Sequence, residues 1–221
     1  PDLALASMGI YVFRTDVLIE ELQRDAACNE SSRDFGKDII PNVITRRQVY
    51  AHHFEEDPHG RPAYWRDVGT VDAFWAANLE LIRVSPELHL YDRDWPIWTS
   101  EDQVPPAKFV FDDDHRLGMA VDTMVAGGCI LSGSYVKHSL LFGGVNVHSY
   151  SQINDSVVLP DVAIGRKSFI RNAVIDKGCQ IPSGSKIGFD LERDAQHYHV
   201  TENGVVLVTP EMLGQRLHHA R

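Results

Sequence analysis

Residues 162–188 read VAIGRKSFIRNAVIDKGCQIPSGSKIG, and an aliphatic side chain returns in this stretch about every sixth position. A helix repeats at about 3.6 residues and a half-buried strand at about two, so neither period accounts for the spacing. The same rhythm extends back to residue 125, and the repeated positions are Val125, Leu131, Val136, Phe142, Val147, Ile153, Val158, Ile164, Ile170, Ile175, Ile181 and Ile187.

Small or turn-forming residues fill the intervals of this repeat, among them GG, SGS, ND, DKG and PSG. A hexapeptide repeat of this kind is typical of a parallel β-helix, in which each unit supplies one short strand and one corner. Each coil of such a solenoid relies on its neighbours for a continuous core. The alternative interpretation is a run of ordinary short strands with turns. A strand at 204–208 and a short helix from Pro210 are predicted to end the chain.

The first 95 residues or so alternate strand and helix signals instead. The β-rich run Ala4–Phe13 and the stretch 49–54 are predicted as short strands. Thr15, Asp34 and Thr70 each precede a helical pattern and are predicted N-caps, because their side-chain oxygens can accept from free N–H groups of the first turn. This is α/β material, but too little for a complete doubly wound domain.

The bulk composition excludes several classes of function. The formal net charge of −10 argues against nucleic acid as the main partner, since phosphate backbones select basic surfaces. Apolar runs fall short of the ~20 residues that span a bilayer, so no membrane association is expected. Three cysteines without a CxxC pair indicate reduced thiols and a cytoplasmic location.

Four motifs ahead of the repeat closely resemble bacterial ADP-glucose pyrophosphorylases (glucose-1-phosphate adenylyltransferases). They are LASMGIYVF at 5–13, SSRDFGKDIIP at 31–41, YWRDVGTVDAFWAANL at 64–79 and PELHLYDRDWPIWT at 86–99. The similarity continues to GVVLVTPEML at 204–213, so it covers nearly the whole chain in the family's order.

The resemblance implies the C-terminal part of a nucleotidyltransferase α/β domain followed by a hexapeptide-repeat left-handed parallel β-helix. Residues 1–95 would belong to the catalytic domain, 96–118 to a linker, and 119–221 to a regulatory and oligomerisation β-helix with a strand-helix tail. The family's Gly-rich ATP-binding loop has no counterpart here, so we expect the C-terminal half of a longer enzyme that is inactive as this segment alone.

The resemblance also implies a glucose 1-phosphate site. Ser7 and Tyr11 would line it, Asp34 and Phe35 would lie nearby, and Trp65 and Asp67 would close it. These residue types suit a sugar, because carboxylates accept from hydroxyl groups and aromatic rings cover the apolar face of a pyranose. Asp67 is the implied catalytic residue and metal ligand, since Mg²⁺ prefers carboxylate oxygens.

Taken singly, these residues have simpler interpretations. Asp34 is then a helix cap, Asp67 pairs with the adjacent Arg66 on the surface, and the aromatic residues belong to a core. The order and identity of the four motifs together favour the site.

The family's effectors imply a second site at the β-helix. A phosphorylated sugar or a pyruvate-type anion would meet Lys177, Arg171, Arg216 and Arg221, in a part of the chain that is locally basic. At position 177 a lysine, a point charge, stands where some relatives have the bidentate arginine. An exposed basic surface is the alternative.

The partners implied are therefore ATP, glucose 1-phosphate, such an effector and the other subunits of a homotetramer, with no nucleic acid and no membrane. Two other functions remain open. A stand-alone hexapeptide acyltransferase would use His138 or His148, and a non-catalytic module would only assemble and sense metabolites. Enzymes that make UDP-N-acetylglucosamine or GDP-mannose also append β-helices. The paired histidines (His52-His53, His197 and His199, His218-His219) lack a third ligand at metal-site spacing and are expected to bind none.

Overall fold

The sixfold repeat folds into a parallel β-helix in a computed structural model that describes residues 7–52, 54, 64–94, 96–99, 102–113 and 116–216. Three parallel sheets form the faces of the helix in the described residues. We call them faces 1, 2 and 3. The fold class predicted from the repeat is confirmed.

Each face is a stack of strands of two or three residues. Face 1 contains, in order, β1 (Lys108–Val110), β6 (Ile130–Ser132), β9 (Asn146–Val147), β12 (Ala163–Ile164) and β15 (Gln180–Ile181). Face 2 contains β4 (Met119–Val121), β7 (Tyr135–Lys137), β10 (Gln152–Asn154), β13 (Phe169–Arg171) and β16 (Lys186–Ile187). Face 3 contains β5 (Met124–Val125), β8 (Leu140–Leu141), β11 (Val157–Val158), β14 (Ala173–Ile175) and β18 (Val206–Val208), with β17 (His199–Val200) antiparallel at its edge. The strands β2 (Asp112–Asp113) and β3 (Arg116–Leu117) pair antiparallel outside these faces.

The register stacks the repeated aliphatic residues inside the helix. On face 2, Val136, Ile153, Ile170 and Ile187 lie in register on successive coils, and all four are buried. Removal of these side chains from water supplies the main stabilisation of the coils, because burial of each aliphatic residue contributes about 1.5–3 kcal/mol.

One of the twelve repeat positions is wrong. Leu141, not Phe142, occupies the inward place, in register with Val125 and Val158. Phe142 follows the strand and packs in a second apolar cluster outside the core. A shift of one residue turns a side chain to the opposite face of a strand, which explains the difference.

The corners need the left-handed backbone conformation. Gly144 has φ +74°, and a Cβ at this glycine would lie 2.5 Å from Asp161 Oδ1. At another corner the same conformation is held by residues with side chains, namely His138, Asp155 and Asn172 on successive coils. Asn, Asp and His tolerate this conformation better than other non-glycine residues.

Helix α3 (Val71–Glu80) packs on the outside of face 3. Thr70 Oγ1 accepts from the Ala73 N–H at 3.2 Å, so the predicted N-cap is confirmed. The indole of Trp75 donates from Nε1 to the carbonyl oxygen of Asp155 at 2.8 Å. Asp72 Oδ1 accepts from the Thr201 hydroxyl at 2.7 Å. Helix α3 is therefore fixed to the β-helix by both apolar packing and hydrogen bonds.

Contacts within the chain define two compact units, residues 1–63 and residues 64–221. The division at 63/64 differs in place from the boundary expected near residue 95, and β1 lies inside the segment expected as a linker. The second unit ends with helix α4 (Leu191–Asp194) and a tail that forms β18, as predicted, followed by turns after Pro210 where a helix was expected.

The first unit contains helix α1 (Thr15–Ala26), a π-helical turn (Phe35–Ile39) and helix α2 (Ile40–Ile44). Asp34 caps the π-helical turn, as predicted. The cap predicted at Thr15 is wrong, because Arg14 holds the N-cap position and Thr15 already lies in the helix. The strands predicted at 4–13 and 49–54 are absent from the described parts of those stretches. None of the helices in the described ranges is long and apolar enough to cross a membrane.

Candidate functional site

Four of the predicted sugar-site residues come together in the first unit. Ser7 Oγ lies 3.1 Å from the Tyr11 hydroxyl, and the Tyr11 ring stacks on Phe35 with ring centres 5.8 Å apart. Gly9 donates its N–H to Ser7 Oγ at 3.2 Å, which holds the hydroxyl at a turn. Asp34 directly precedes Phe35. The group combines hydroxyl donors with a flat aromatic surface.

Asp34 does serve as a helix cap. Its Oδ1 accepts from the N–H groups of Gly36 at 2.7 Å and Lys37 at 2.8 Å. These bonds fix the carboxylate near Gly36. A Cβ at Gly36 would lie 3.3 Å from Asp34 Oδ1 and 3.9 Å from the Tyr11 hydroxyl, so both groups lie close to this glycine. Capping and ligand binding are compatible, because a carboxylate can accept about four hydrogen bonds.

Trp65 and Asp67 lie in the second unit, on the loop that leads into α3. Asp67 is exposed, and its Oδ1 accepts from the Gly69 N–H at 2.9 Å. Trp65 is 43% exposed, so the alternative interpretation of this residue as a core aromatic does not hold. A Cβ at Gly69 would lie 3.1 Å from Asp67 Oδ1, so a side chain at this position would crowd the carboxylate.

The neighbour of Asp67, Arg66, pairs with other carboxylates. Its guanidinium donates to both oxygens of Glu80, at 3.0 and 2.9 Å, and lies 2.6 Å from Glu87 Oε2. Hydrogen bonds to Glu80 and Glu87 raise the pKa of Arg66 above its usual value. The surface pair considered between Arg66 and Asp67 is therefore wrong. Sequence reasoning missed the true pair, because Glu80 is separated from Arg66 by a loop and a whole helix.

The basic candidates for the effector site lie at different corners. Arg171 ends β13, where its Nε donates to the Gly188 carbonyl at 2.8 Å and its guanidinium lies 4.4 Å from the centre of the Phe189 ring. Lys177 is exposed at the other end of β14, where its backbone N–H donates to Asp176 Oδ1 at 2.8 Å. Arg171 and Lys177 thus lie at opposite ends of strand β14.

The end of the described chain is fastened to face 1. The side chain of Gln215 accepts from the Gln180 N–H at 2.9 Å and donates to the Gln180 carbonyl at 2.7 Å, as a neighbouring strand would. Arg216 follows directly and is exposed. Arg221 lies outside the described residues. A clamp of this kind leaves no sequence pattern that would reveal it.

The first unit also contains a polar cavity of about 420 Å³ between α1 and α2. Its lining includes Glu21, Arg24, Asp25, Asp38 and Arg46, and none of the predicted site residues. Burial alone would raise the pKa of Glu21, but its hydrogen bond to Arg46 and nearby positive charges hold the pKa below the usual value.

The described residues contain no group of three or more His, Cys, Asp and Glu side chains that could hold a metal ion. His138 Nδ1 lies 2.6 Å from Asp155 Oδ1 at a corner of the β-helix, and His148 is exposed. His53, His218 and His219 lie outside the described residues.

Comparison with known proteins finds a match in each region of the chain. Residues 1–83 match the nucleotidyl transferase family, and residues 105–208 match the GlmU-like C-terminal hexapeptide family. The chain is 59% identical over 219 residues to a glucose-1-phosphate adenylyltransferase of Dechloromonas aromatica, a match that covers 97% of this chain and 50% of that protein. It is 60% identical over 221 residues to the enzyme of that name from Methylococcus capsulatus, with 100% of this chain and 52% of that protein covered.

The chain therefore spans about half the length of the curated relatives that it matches. The resemblance inferred from the four motifs is confirmed over the whole sequence, and a third relative, from Nitrosospira multiformis, is 56% identical over 225 residues.

Proposed function

We propose that this chain is part of a glucose-1-phosphate adenylyltransferase, the enzyme that converts ATP and glucose 1-phosphate into ADP-glucose and pyrophosphate. The observation that carries the proposal is identity of 56–60% to proteins of that name along the entire chain. The described site residues support it, because hydroxyl groups, an aromatic surface and exposed carboxylates are what a sugar phosphate requires.

The groups in the first unit act on the sugar. The stacked rings of Tyr11 and Phe35 offer a flat surface to the apolar face of the pyranose. Ser7 and the carboxylate of Asp34 bind sugar hydroxyl groups. Together these four residues hold the sugar phosphate so that its oxygen can attack the α-phosphorus of ATP, which is a gain from orientation. In the second unit, Trp65 offers an aromatic surface to the substrate from its own loop.

Asp67 is the proposed metal ligand. One oxygen is held by the Gly69 N–H, which orients the carboxylate and leaves the second oxygen for a cation. A single carboxylate fits Mg²⁺, which takes most of its ligands from phosphate oxygens and water. When bound, the ion would offset the negative charge that develops as pyrophosphate leaves.

The assay that tests the proposal uses the complete enzyme. Purified enzyme should release pyrophosphate from ATP only when glucose 1-phosphate and Mg²⁺ are present, and ADP-glucose should form in equal amount. UTP or GTP in place of ATP, and N-acetylglucosamine 1-phosphate or mannose 1-phosphate in place of the sugar, are the controls. A preference for one of these would move the chain to another nucleotidyltransferase.

We also propose that the β-helix binds an anionic effector, a phosphorylated sugar or a pyruvate-type compound, in a cytoplasmic homotetramer committed to glycogen synthesis. Exposed Lys177 and Arg216, and the oriented guanidinium of Arg171, support an anion site in a chain that is acidic overall. Arg221 belongs to the same proposal.

Lys177→Ala tests the effector site. We expect a weaker activator response at nearly unchanged basal rate, because a cation at a corner of the β-helix contacts the effector and not the substrates. Lys137→Ala is the control, since Lys137 is an exposed lysine on face 2. Identical activation curves for the two variants would remove Lys177 from the effector site. Sedimentation of the complete enzyme tests the tetramer.

A further inference from the structure

Arg66 contacts more groups than a single surface ion pair would involve. Its Nε and Nη2 donate to the two oxygens of Glu80, Nη2 also reaches Glu87, and Nη1 donates to the carbonyl oxygen of Trp65 at 3.0 Å. The ring of Tyr64 lies beneath the guanidinium, 5.0 Å from ring centre to Cζ. The side chain therefore joins the backbone of the loop to two carboxylates at once.

We propose that Arg66 is a positioning residue for the reaction: it holds the loop that presents Trp65 and Asp67 in the geometry that sugar and metal binding require. The inference rests on the proposed function, since it is this function that gives Trp65 and Asp67 their roles.

The carboxylate that holds Arg66 is itself fixed. Glu80 is the last residue of α3 and is only 9% exposed, and its neighbour Leu79 is buried in the apolar cluster on face 3. Trp75 and Asp72 fasten the same helix by hydrogen bonds to the β-helix and its tail. Arg66 thus ties the loop to a rigid element, which is what a precisely placed site needs.

The loop is held at both ends. Arg66 binds its start to Glu80, and Thr70 caps α3 at its other end. Asp67 lies between these points, with its carboxylate turned by the Gly69 N–H. Loss of the first restraint leaves Asp67 attached only through the cap, and its carboxylate can then move while the fold persists.

A lysine cannot replace this arginine. The guanidinium is a planar fork that donates to Glu80 with two parallel bonds while a third nitrogen serves Trp65. An ammonium group keeps the charge but is a single point, so it can neutralise Glu80 without holding the loop. Arg66→Lys therefore separates positioning from charge.

The test is the kinetics of Arg66→Lys in the complete enzyme. We expect kcat to fall about 10- to 100-fold, the size of effect that a small misplacement of a reacting group produces. The KM for glucose 1-phosphate and the Mg²⁺ concentration for half-maximal rate should both rise. A purely structural role would lower the folded fraction and leave these two constants unchanged. Arg83→Lys, an exposed arginine just past α3, is the matched control and should change none of them.

A milder variant serves if Arg66→Lys fails to fold. Glu87 is 60% exposed at its side chain, and Glu87→Gln removes one contact of the guanidinium from the solvent side. We expect both constants to rise about two- to fivefold, the size that an exposed ion pair can supply. Unchanged KM and Mg²⁺ dependence in the folded variants would overturn the inference. If the unmodified enzyme made no ADP-glucose at all, the proposed function would fail instead.

Discussion

The β-helix and the first unit bury their apolar residues to very different extents. Inside the β-helix, buried residues between Cys129 and Val208 form one continuous cluster. In the first unit, Ile39 and Val43 are the buried aliphatic residues of the described ranges, while Ile10 is 75% and Val12 97% exposed. The β-helix thus has a well-buried core, whereas the first unit leaves much of its apolar surface exposed.

The difference shows how each region is stabilised. A coil of the β-helix contacts mainly the coils next to it in sequence, so its core is complete within the repeat. The first unit has helices whose apolar side chains lie exposed, and exposed apolar surface of this kind is typical of an interaction face. We expect the rest of the catalytic domain, in relatives of twice this length, to cover it.

The largest expected effect is on the β-helix core. Ile170→Ala should lower the free energy of unfolding of the β-helix by about 2–5 kcal/mol, because it leaves a cavity between coils. Ile10→Ala, the same change at an exposed isoleucine of the first unit, should stay within about 0.5 kcal/mol. Urea unfolding of the 221-residue chain measures both. Equal losses would refute the contrast between the two regions.

Glu21 tests what holds the first unit together. The pKa of Glu21 is lowered in the folded chain, so its contribution is complete above the usual pKa of 4.5 and is lost as the pH falls through the lowered value. Glu21→Gln should therefore cost about 1.5–3 kcal/mol at pH 7, the range for a hydrogen bond to a charged group. Urea unfolding at pH 7 and about pH 3 should show the difference shrinking in acid. A difference independent of pH would mean that the ionised form gives no stability.

Trp75 tests the attachment of α3 to the β-helix. Trp75→Phe removes the indole N–H that donates to the Asp155 carbonyl and keeps most of the apolar contact. We expect a loss of about 0.5–1.5 kcal/mol in the free energy of unfolding. The control is Trp65→Phe, at an exposed tryptophan of the same unit. If both variants were equally stable, the hydrogen bond would not fasten the helix.

The smallest effect concerns the cysteines and needs no substitution. Cys28 is exposed, while Cys129 and Cys179 are fully buried in the β-helix. Burial, with the nearby charge of Asp176, raises the pKa of the Cys179 thiol to about 12. A thiol reagent at pH 8 should label Cys28 and spare the other two, as read by peptide mass. Rapid labelling of Cys179 would show that the coil opens easily.

The β-helix could be predicted from the sequence because its signal is repeated on every coil. The regular spacing identified eleven of the twelve inward positions correctly, and only Phe142 was named where Leu141 points inward. The first unit has no repeated pattern of this kind, so each of its elements had to be predicted from a single stretch of sequence. The run 4–13 has strand composition, yet its described residues form no strand, since a strand needs a partner and composition does not supply one.

The candidate site residues could be named from the sequence, but the contacts that hold them could not. The motifs named Ser7, Tyr11, Asp34 and Phe35, and the structure brings them together in one unit. The contacts that hold Asp67 in place were not visible, because Arg66 and Glu80 meet only after α3 has folded. Pairing at a distance depends on tertiary structure, and the adjacent Asp67 was the obvious wrong partner.

The most direct test of the account is Asp67→Asn in the complete enzyme, measured as kcat together with the melting temperature. The substitution keeps an oxygen for the Gly69 N–H and removes the charge that we propose binds a metal. The account predicts a fall in kcat of about 100-fold or more, since loss of one charge-stabilising group typically costs 10²–10³, with an unchanged melting temperature. An enzyme that lost stability and activity in parallel, or neither, would show that Asp67 is not the catalytic carboxylate.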